Sequence, residues 1–271
     1  MPQYLQEMYQ AIDIRRSHRH YHPLPLTDHD RIKIKTLIER FVDLPFESNV
    51  QISLHHAEEE QDVVYFRGPK HFVALTTDES IVSQAKLGFL GELLVLYSER
   101  QGIKTCWMGH YKKNIVHEIV TADGIDLQND RLYCIITLGY IPEKTGIMDR
   151  ISEKRLSKKT KRVEDLLHPE SLRKFPEPIY NALQKACRAP SAMNSQKWKY
   201  FVKSTSTDYV VEIGKPVGYK HFKWSFYDID VGTAAAHFWL GLMNSGIKPT
   251  TEVIQDSDRS LWRFCIKKED A

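Results

Sequence analysis

Residues 87–104 read LGFLGELLVLYSERQGIK, and residues 231–248 read VGTAAAHFWLGLMNSGIK. Each closes a long apolar run, 80–101 and 228–245, with too few polar residues to form a wet face. Such runs predict helices buried on nearly every side. Gly102 stops the first helix, and a GIK triplet follows both runs. The spacing between the triplets also separates Gly88 from Gly232. Two buried helices at one constant spacing suggest a chain whose second half repeats its first.

The flanking segments carry the same suggestion. Strands are predicted at NVQISLHH (49–56), KHFVALTTD (70–78), IKTCWMG (103–109) and RLYCIITLGYIP (131–142) in the first half. KWKYFVKS (197–204), DYVVEIG (208–214), TEVIQD (251–256) and LWRFCIKK (261–268) are their counterparts. Further helices are predicted over residues 2–13, 28–41 (with Thr27 or Asp28 as the cap) and 177–189. LPFESNVQ (44–51) aligns with APSAMNSQ (189–196), matching Pro45 to Pro190, Asn49 to Asn194 and Gln51 to Gln196. YCI (133–135) aligns with FCI (264–266) across a shorter preceding loop. The expectation is an α+β fold of mixed sheets flanked by helices, with repeats at 1–150 and 151–271 forming one compact unit. The alternative is that any two α+β halves share glycine stops and apolar strands. The aligned turns have diverged: Phe46 and Glu47 stand where the second half has Ser191 and Ala192.

Composition sets the outer limits. The chain has 271 residues, 42% hydrophobic and 27% charged, as in ordinary globular proteins. Lys and Arg number 38 against 35 Asp and Glu, a net charge of +3 and too mild to imply a polyanionic partner. Cys106, Cys134, Cys187 and Cys265 form no CxxC pair, which argues against a zinc knuckle or a dithiol redox centre. They read as reduced core residues of a cytoplasmic protein. The expectation is no secretory signal and no membrane span, since no uninterrupted apolar stretch approaches the needed length.

One segment is rich in chemistry. IRRSHRHYHPLP (14–25) places Arg15, Arg16, Arg19 and Ser17 among His18, His20 and His22. Alternating histidines would share one face of a strand, but a metal also needs other well-placed ligands. A nucleic acid would need a wider basic face. A solvated loop of charges is the plain alternative. The planar guanidinium forks with a neighbouring hydroxyl suit a phosphate, at about 1.5–3 kcal/mol for each charge-assisted hydrogen bond. A second basic run, EKRLSKKTKR (153–162), reads as an exposed connector or as a donor to the same phosphate.

Four stretches together resemble the flavin-dependent nitroreductase family. AIDIRRSHRHY resembles its N-terminal RRSxR signature, and APSAMNSQKWKYFV its APSxxNxQPWxFxV turn and strand. GELLVLYSERQGIKTCWMG resembles its long helix followed by WxG, and ITLGYIPE its LGYP strand. In that family two subunits interlock around FMN, one giving the RRS arm and the other the PSxxN turn. Both are in this one chain, as in the tandem-repeat branch where a single polypeptide mimics the dimer.

The resemblance implies cofactor contacts from Arg15, Arg16, Ser17 and Arg19 to the FMN phosphate, with Arg155 closing over it. Pro190, Ser191 and Asn194 would meet the ribityl chain or ring edge; in the plain reading Asn194 only completes a turn. Trp107, Met108 and Gly109 would run their backbone past the isoalloxazine N5; in the plain reading Trp107 packs under the sheet. The implied chemistry is hydride transfer from NADH or NADPH through the flavin to a nitroaromatic, quinone or enone, in ping-pong fashion. No catalytic side chain and no metal ligand is assigned, and the implied partners are small molecules, not nucleic acid or membrane. No GxGxxG follows a strand to seat the pyrophosphate of FAD. A non-enzymatic flavin protein is the alternative, its ring covered by Tyr219, Phe222, Trp224 or Phe226. A fold relative without cofactor is a third reading. Departures from the pattern are Lys197 in place of the usual proline, PFESN in the first half, KRLSK (154–158) as a weak second arm, and GIKPTTEV without WxG after the last helix. They imply one complete site and one degenerate one.

Overall fold

The computed structural model describes residues 1–66, 68–142, 160–219 and 226–271. Its helices are α1 (Gln3–Ala11), α2 (Asp28–Glu39), α3 (Ile81–Arg100), α4 (Lys113–Ala122), α5 (Val163–Leu166), α6 (Glu177–Ala186) and α7 (Tyr227–Asn244). Its strands are β1 (Gln51–His56), β2 (His71–Thr77), β3 (Lys104–Met108), β4 (Arg131–Gly139), β5 (Lys199–Ser204), β6 (Asp208–Gly214), β7 (Thr250–Asp256) and β8 (Arg259–Lys267). This is the α+β fold expected from the sequence. The helix α4 is an addition to it.

The strands form two antiparallel sheets, ordered β1-β2-β4-β3 and β5-β6-β8-β7. The order is the same in both, edge for edge. The long helices α3 and α7 lie between the sheets, and one apolar cluster joins both helices to the inner faces of both sheets. Strand β2 shows how period-two geometry divides the layers. Val73 and Leu75 point into this central core, whereas Phe72 and Ala74 point to a second, outer one. The outer core is closed by Val116, Ile119 and Val120 of α4, spaced to share one helix face.

Among the described residues the second sheet has no counterpart of α4. There β7 and β8 join through a tight hairpin, with Asp256 opposite Arg259 and Ser257 at φ 58°. Its outer face instead carries ion pairs, Lys203 and Arg263 to Glu212 and Arg263 to Glu252, at 2.8–3.1 Å.

Local signals explain the boundaries. Thr27 caps α2 by accepting from the Asp30 N–H at 3.2 Å, and Ser80 caps α3 toward Ser83. Gly102, at φ 77°, ends α3 in the left-handed conformation a glycine supplies most cheaply. Helix α3 is long and apolar enough to pass for a membrane span by composition, but here its side chains are packed between the sheets.

Where α3 crosses α7 the backbones touch. A Cβ on Gly88 would lie 2.0 Å from the Ile229 carbonyl oxygen, and one on Gly232 would lie 2.0 Å from that of Ala85. Each glycine therefore packs on the backbone three residues before the other. Gly88→Ala or Gly232→Ala must push the helices apart and should cost about 3 kcal/mol or more. The double variant should lose less than the sum, because one displacement relieves both contacts. Gly102→Ala, whose Cβ would meet open space, should cost only about 1–2 kcal/mol from its positive φ. Urea unfolding midpoints of the four variants check this ranking.

Helix α7 is tied to the second sheet by Asp228, whose Oδ1 accepts from both the N–H and the hydroxyl of Ser260 at 2.6 Å. Burial raises the Asp228 carboxyl above the usual aspartate range, against the pull of the Ser260 donors and Lys215. A folded-state value above the unfolded one destabilises the fold once pH exceeds the unfolded value. The penalty is absent below it and complete above the raised value. Asp228→Asn keeps an acceptor without the charge. It should raise the melting temperature at pH 7, with the gain vanishing as pH falls below the ordinary aspartate range.

Candidate functional site

The arginine arm leaves α1 and runs along the free edge of β3. Ser17 bridges Thr105 in parallel register, and the His18 N–H donates to the Thr105 carbonyl at 3.0 Å. Further on, the Tyr21 hydroxyl pairs with Thr137 Oγ1 at 2.8 Å, and the His22 N–H donates to the Tyr140 carbonyl at 2.7 Å. The arm is thus stitched to the Lys104–Gly139 end of the first sheet, along β3, the strand that carries Trp107 and Met108 further on. Among the described residues, no group of three His, Cys, Asp or Glu side chains is placed to hold a metal ion.

Four of the sequence candidates lie on this arm. Arg15 is half-buried; its Nη1 reaches Ser17 Oγ at 3.5 Å, and its Nε makes no hydrogen bond. Arg16 is exposed and turns back to the carbonyls of Asp13 and Arg15, at 3.3 and 2.9 Å. Ser17 and Arg19 are half-buried. Met108 is half-buried and Gly109 is exposed at the end of β3. The Trp107 ring lies on α3, over Gly91, where a Cβ would come within 2.3 Å of its Cη2. Arg155, with the whole KRLSK run, lies outside the described residues.

The second-half turn is held by its own Ser191 and Gln196 and by two side chains of α7, Asp230 and Thr233, to which the sequence holds no pointer. The Asp230 carboxylate accepts from the Ala192 N–H at 3.1 Å, and the Thr233 hydroxyl donates to the Pro190 carbonyl at 2.7 Å. The Gln196 side chain is buried; it donates to the Cys187 carbonyl at 2.6 Å and accepts from the Lys161 N–H at 2.8 Å. Ser191 Oγ accepts from the Gln196 N–H at 2.9 Å, closing the loop on itself. Within this frame Met193, Asn194 and Gln196 adopt φ of 54°, 50° and 44°. Such left-handed residues, when not glycine, cost on the order of 1–3 kcal/mol each and persist only where surrounding structure over-determines them. The Asp230 and Thr233 contacts supply that determination here.

Arm and turn approach one another through the end of α6. Asp13, at the root of the arm, pairs with Lys185 at 2.6 Å and Arg188 at 3.5 Å, just before Pro190. The Lys185 ammonium also lies 5.0 Å from the Tyr9 ring centroid. Beneath them is a buried polar cluster. Glu92 of α3 accepts from Trp107 Nε1 at 2.8 Å, meets His237 Nε2 of α7 at 2.9 Å and lies 3.7 Å from Arg15 Nε. Glu92 and His237 are both fully buried. A sequence reading passes over them because a lone Glu or His in a helix usually faces solvent or fills a core gap. Only the crossing of α3 with α7 brings these two together.

The turn before β1 is built differently. Phe46 stands edge-on to Phe89 of α3 and Trp262 of β8, each at 5.1 Å between centroids. Glu47 is exposed. Asn49 hydrogen-bonds Asp78 and accepts from the Ser83 hydroxyl at 3.0 Å. Among the proposed ring covers, Tyr219 packs on Tyr227 and beneath Lys197, and Phe226 packs on Tyr133. Phe222 and Trp224 lie outside the described residues.

All four cysteines are free thiols, with Cys106, Cys134 and Cys187 buried. Burial pushes the Cys134 thiol well up and Cys187 to about 11, so neither is a ready nucleophile.

The frame of the turn is testable through Asp230. Asp230→Ala leaves the Ala192 N–H without its acceptor and releases the left-handed backbone it holds. A loss of about 1–3 kcal/mol is expected in chemical denaturation. Backbone amides of 191–196 should exchange with deuterium faster than those of β5, which the substitution does not touch.

Comparison with known proteins agrees with this architecture. A family model described as "Putative TM nitroreductase" matches residues 7–242. Among solved structures, a "putative nitroreductase" from Thermotoga maritima superposes with a TM-score of 0.61 at 18% identity, over 95% of this chain and 93% of that one. A nitroreductase with bound FMN from Bacteroides fragilis matches 52% of this chain and 91% of its own, at 15% identity and a TM-score of 0.41. No curated protein matches the chain. The extent of the family match, over most of a chain whose fold agrees, places this protein in the nitroreductase family.

Proposed function

We propose that this chain is an FMN-dependent oxidoreductase whose two halves are diverged repeats, holding one flavin between the arm of the first and the turn of the second. The observation that carries the reading is the approach of the two segments. Residues 15–19 are fixed along β3, residues 190–196 are fixed on α7, and Asp13 bridges them to Lys185 and Arg188. The repeat is supported by the identical strand orders and by the reciprocal glycine contacts of α3 and α7.

The residues fit the cofactor. Arg15 is a partly enclosed guanidinium whose one hydrogen bond, to Ser17, sits at the long limit. It has donors to spare for a phosphate, beside Arg16 and Arg19. The 190–196 turn offers backbone polar groups at its rim, with Ser191 and Asn194 half-buried there. FMN supplies the hydride-carrying ring, accepting from NADH or NADPH and delivering to a small acceptor such as a nitroaromatic, quinone or enone. With FMN bound, Arg15, Ser17 and Arg19 of the arm would hold its phosphate, and Ser191, Asn194 and the backbone of residues 107–109 would hold the rest of the cofactor. No side-chain acid or base is required by that scheme.

One flavin per chain follows from the difference between the two turns. In the turn before β1 the ring of Phe46 fills the place that Ser191 takes in the turn before β5, by the sequence alignment. Purified protein should be yellow, with a flavin-to-chain absorbance ratio near one, and should oxidise NADH or NADPH when a nitroaromatic or quinone is present. Arg15→Ala should weaken FMN about 10- to 100-fold, as for one charge-assisted hydrogen bond. A colourless protein that takes up no added FMN would sink the reading. A yellow protein inert toward every nicotinamide and acceptor would favour a flavin-binding role without turnover.

A further inference from the structure

The buried cluster beneath the arm has no task in the scheme above. Glu92 projects from the middle of α3, and its carboxyl is the meeting point of three side chains from three other segments. Trp107 Nε1 of β3 donates to its Oε2 at 2.8 Å. His237 Nε2 of α7 meets its Oε1 at 2.9 Å, and Arg15 Nε of the arm lies 3.7 Å from the same oxygen. His237 Nδ1 is 3.1 Å from the Lys185 carbonyl, which can only accept, so Nδ1 carries a hydrogen. A further hydrogen therefore sits between His237 Nε2 and Glu92 Oε1. Apolar side chains would fill this volume without the desolvation penalty of a buried carboxyl and imidazole. Stability alone does not account for the cluster.

The geometry of Arg15 supplies an account. A guanidinium is a rigid plane with donors on more than one edge. Here the Nε edge faces Glu92 from a distance just beyond a hydrogen bond, while Nη1, on the other edge, reaches Ser17 Oγ. We propose that Glu92 is a positioning residue for the arm: it attracts Arg15 by the Nε edge and so presents the outer nitrogens to the flavin phosphate. Trp107 and His237 hold the carboxyl in the orientation that does this. The inference rests on the FMN reading and adds to it the residue that aims the phosphate-binding arginine.

FMN and riboflavin separate this role from a merely structural one, since riboflavin keeps the ring and ribityl chain and lacks the phosphate. Dissociation constants for both are measured by flavin fluorescence on wild type, Glu92→Gln, Arg15→Ala and the double variant. Glu92→Gln should weaken FMN about tenfold, the scale of one charge-assisted contact, while riboflavin stays within about twofold. In the Arg15→Ala background Glu92→Gln should cause no further loss, because its effect passes through the missing arginine. Arg15→Lys guards against a Glu92 variant that does not fold. A lysine ammonium cannot be held by one edge and offer another, so it should also lose FMN about tenfold and spare riboflavin. Equal weakening of both flavins by Glu92→Gln, losses that multiply in the double variant, or Arg15→Lys binding FMN like wild type would each overturn the proposal. A wild type that prefers FMN to riboflavin, with Glu92→Gln unchanged, overturns the positioning role alone. A wild type that binds neither flavin overturns the FMN reading, and this proposal with it.

Discussion

The fold hangs on the contact between the backbones of α3 and α7. Neither helix has a polar face to turn toward water, so each can be stable only inside the molecule. Gly88 and Gly232 let them approach until each meets the other's main chain. Such close approach brings the sheets on either side into one apolar cluster and leaves no room for water between the halves. It also fixes which residues face one another across the join. Glu92 lies one turn beyond Gly88 on α3, and His237 lies more than a turn beyond Gly232 on α7. The crossing that packs the core therefore also assembles the polar cluster under the arm. A small residue at the crossing and a hydrogen-bonded polar pair further along are two consequences of one geometry.

Beyond that crossing, the two ends of the molecule have been built for different ends. On the outer face of the first sheet, α4 and the segment around it add a second core. On the second sheet a two-residue turn stands in that place, and ion pairs line the exposed face. The turn before β1 is closed with aromatic rings, and the turn before β5 with a carboxylate, a hydroxyl and a buried amide. Strand order is the same in the two sheets while these connections differ, as expected where a scaffold is constant and function sits in its connections.

Much of the fold was legible because the sequence punctuates itself. Glycine after each long helix, threonine and serine caps, and alternating apolar residues in the strands each mark a boundary that the structure keeps. Helix α4 also carries its signal, in Val116, Ile119 and Val120, but it lies between two strongly patterned strands and is short. Two segments that the sequence singles out have defined places: Ser17 lies against Thr105, and the 190–196 turn is an irregular, tightly bonded loop. What could not be read was the support. Asp230 and Thr233 act on the turn from up to 43 residues away along the chain, and Glu92 and His237 are 145 apart. No local pattern encodes such pairs. Nor does residue type announce the left-handed backbone at Met193 and Gln196, since neither side chain favours it.

The distribution of unfavourable features makes the last step. Left-handed non-glycine residues, a buried carboxyl beside a buried imidazole, and a half-buried guanidinium with little bonding each cost free energy in a folded chain. Apart from Ser257 in the β7–β8 hairpin and Asp228 beside it, they gather where the arm, β3 and the turn before β5 approach one another. At the turn before β1 the comparable space is filled by Phe46, Phe89 and Trp262, which is how a sequence under stability alone would fill it. The same chain thus contains both solutions, and the aromatic one acts as an internal control for the polar one. Costs that are confined to one of two matching places are not explained by the fold, which is common to both. The proposed flavin would account for them: completing one place and not the other, its binding energy would offset the strain of the residues that hold it.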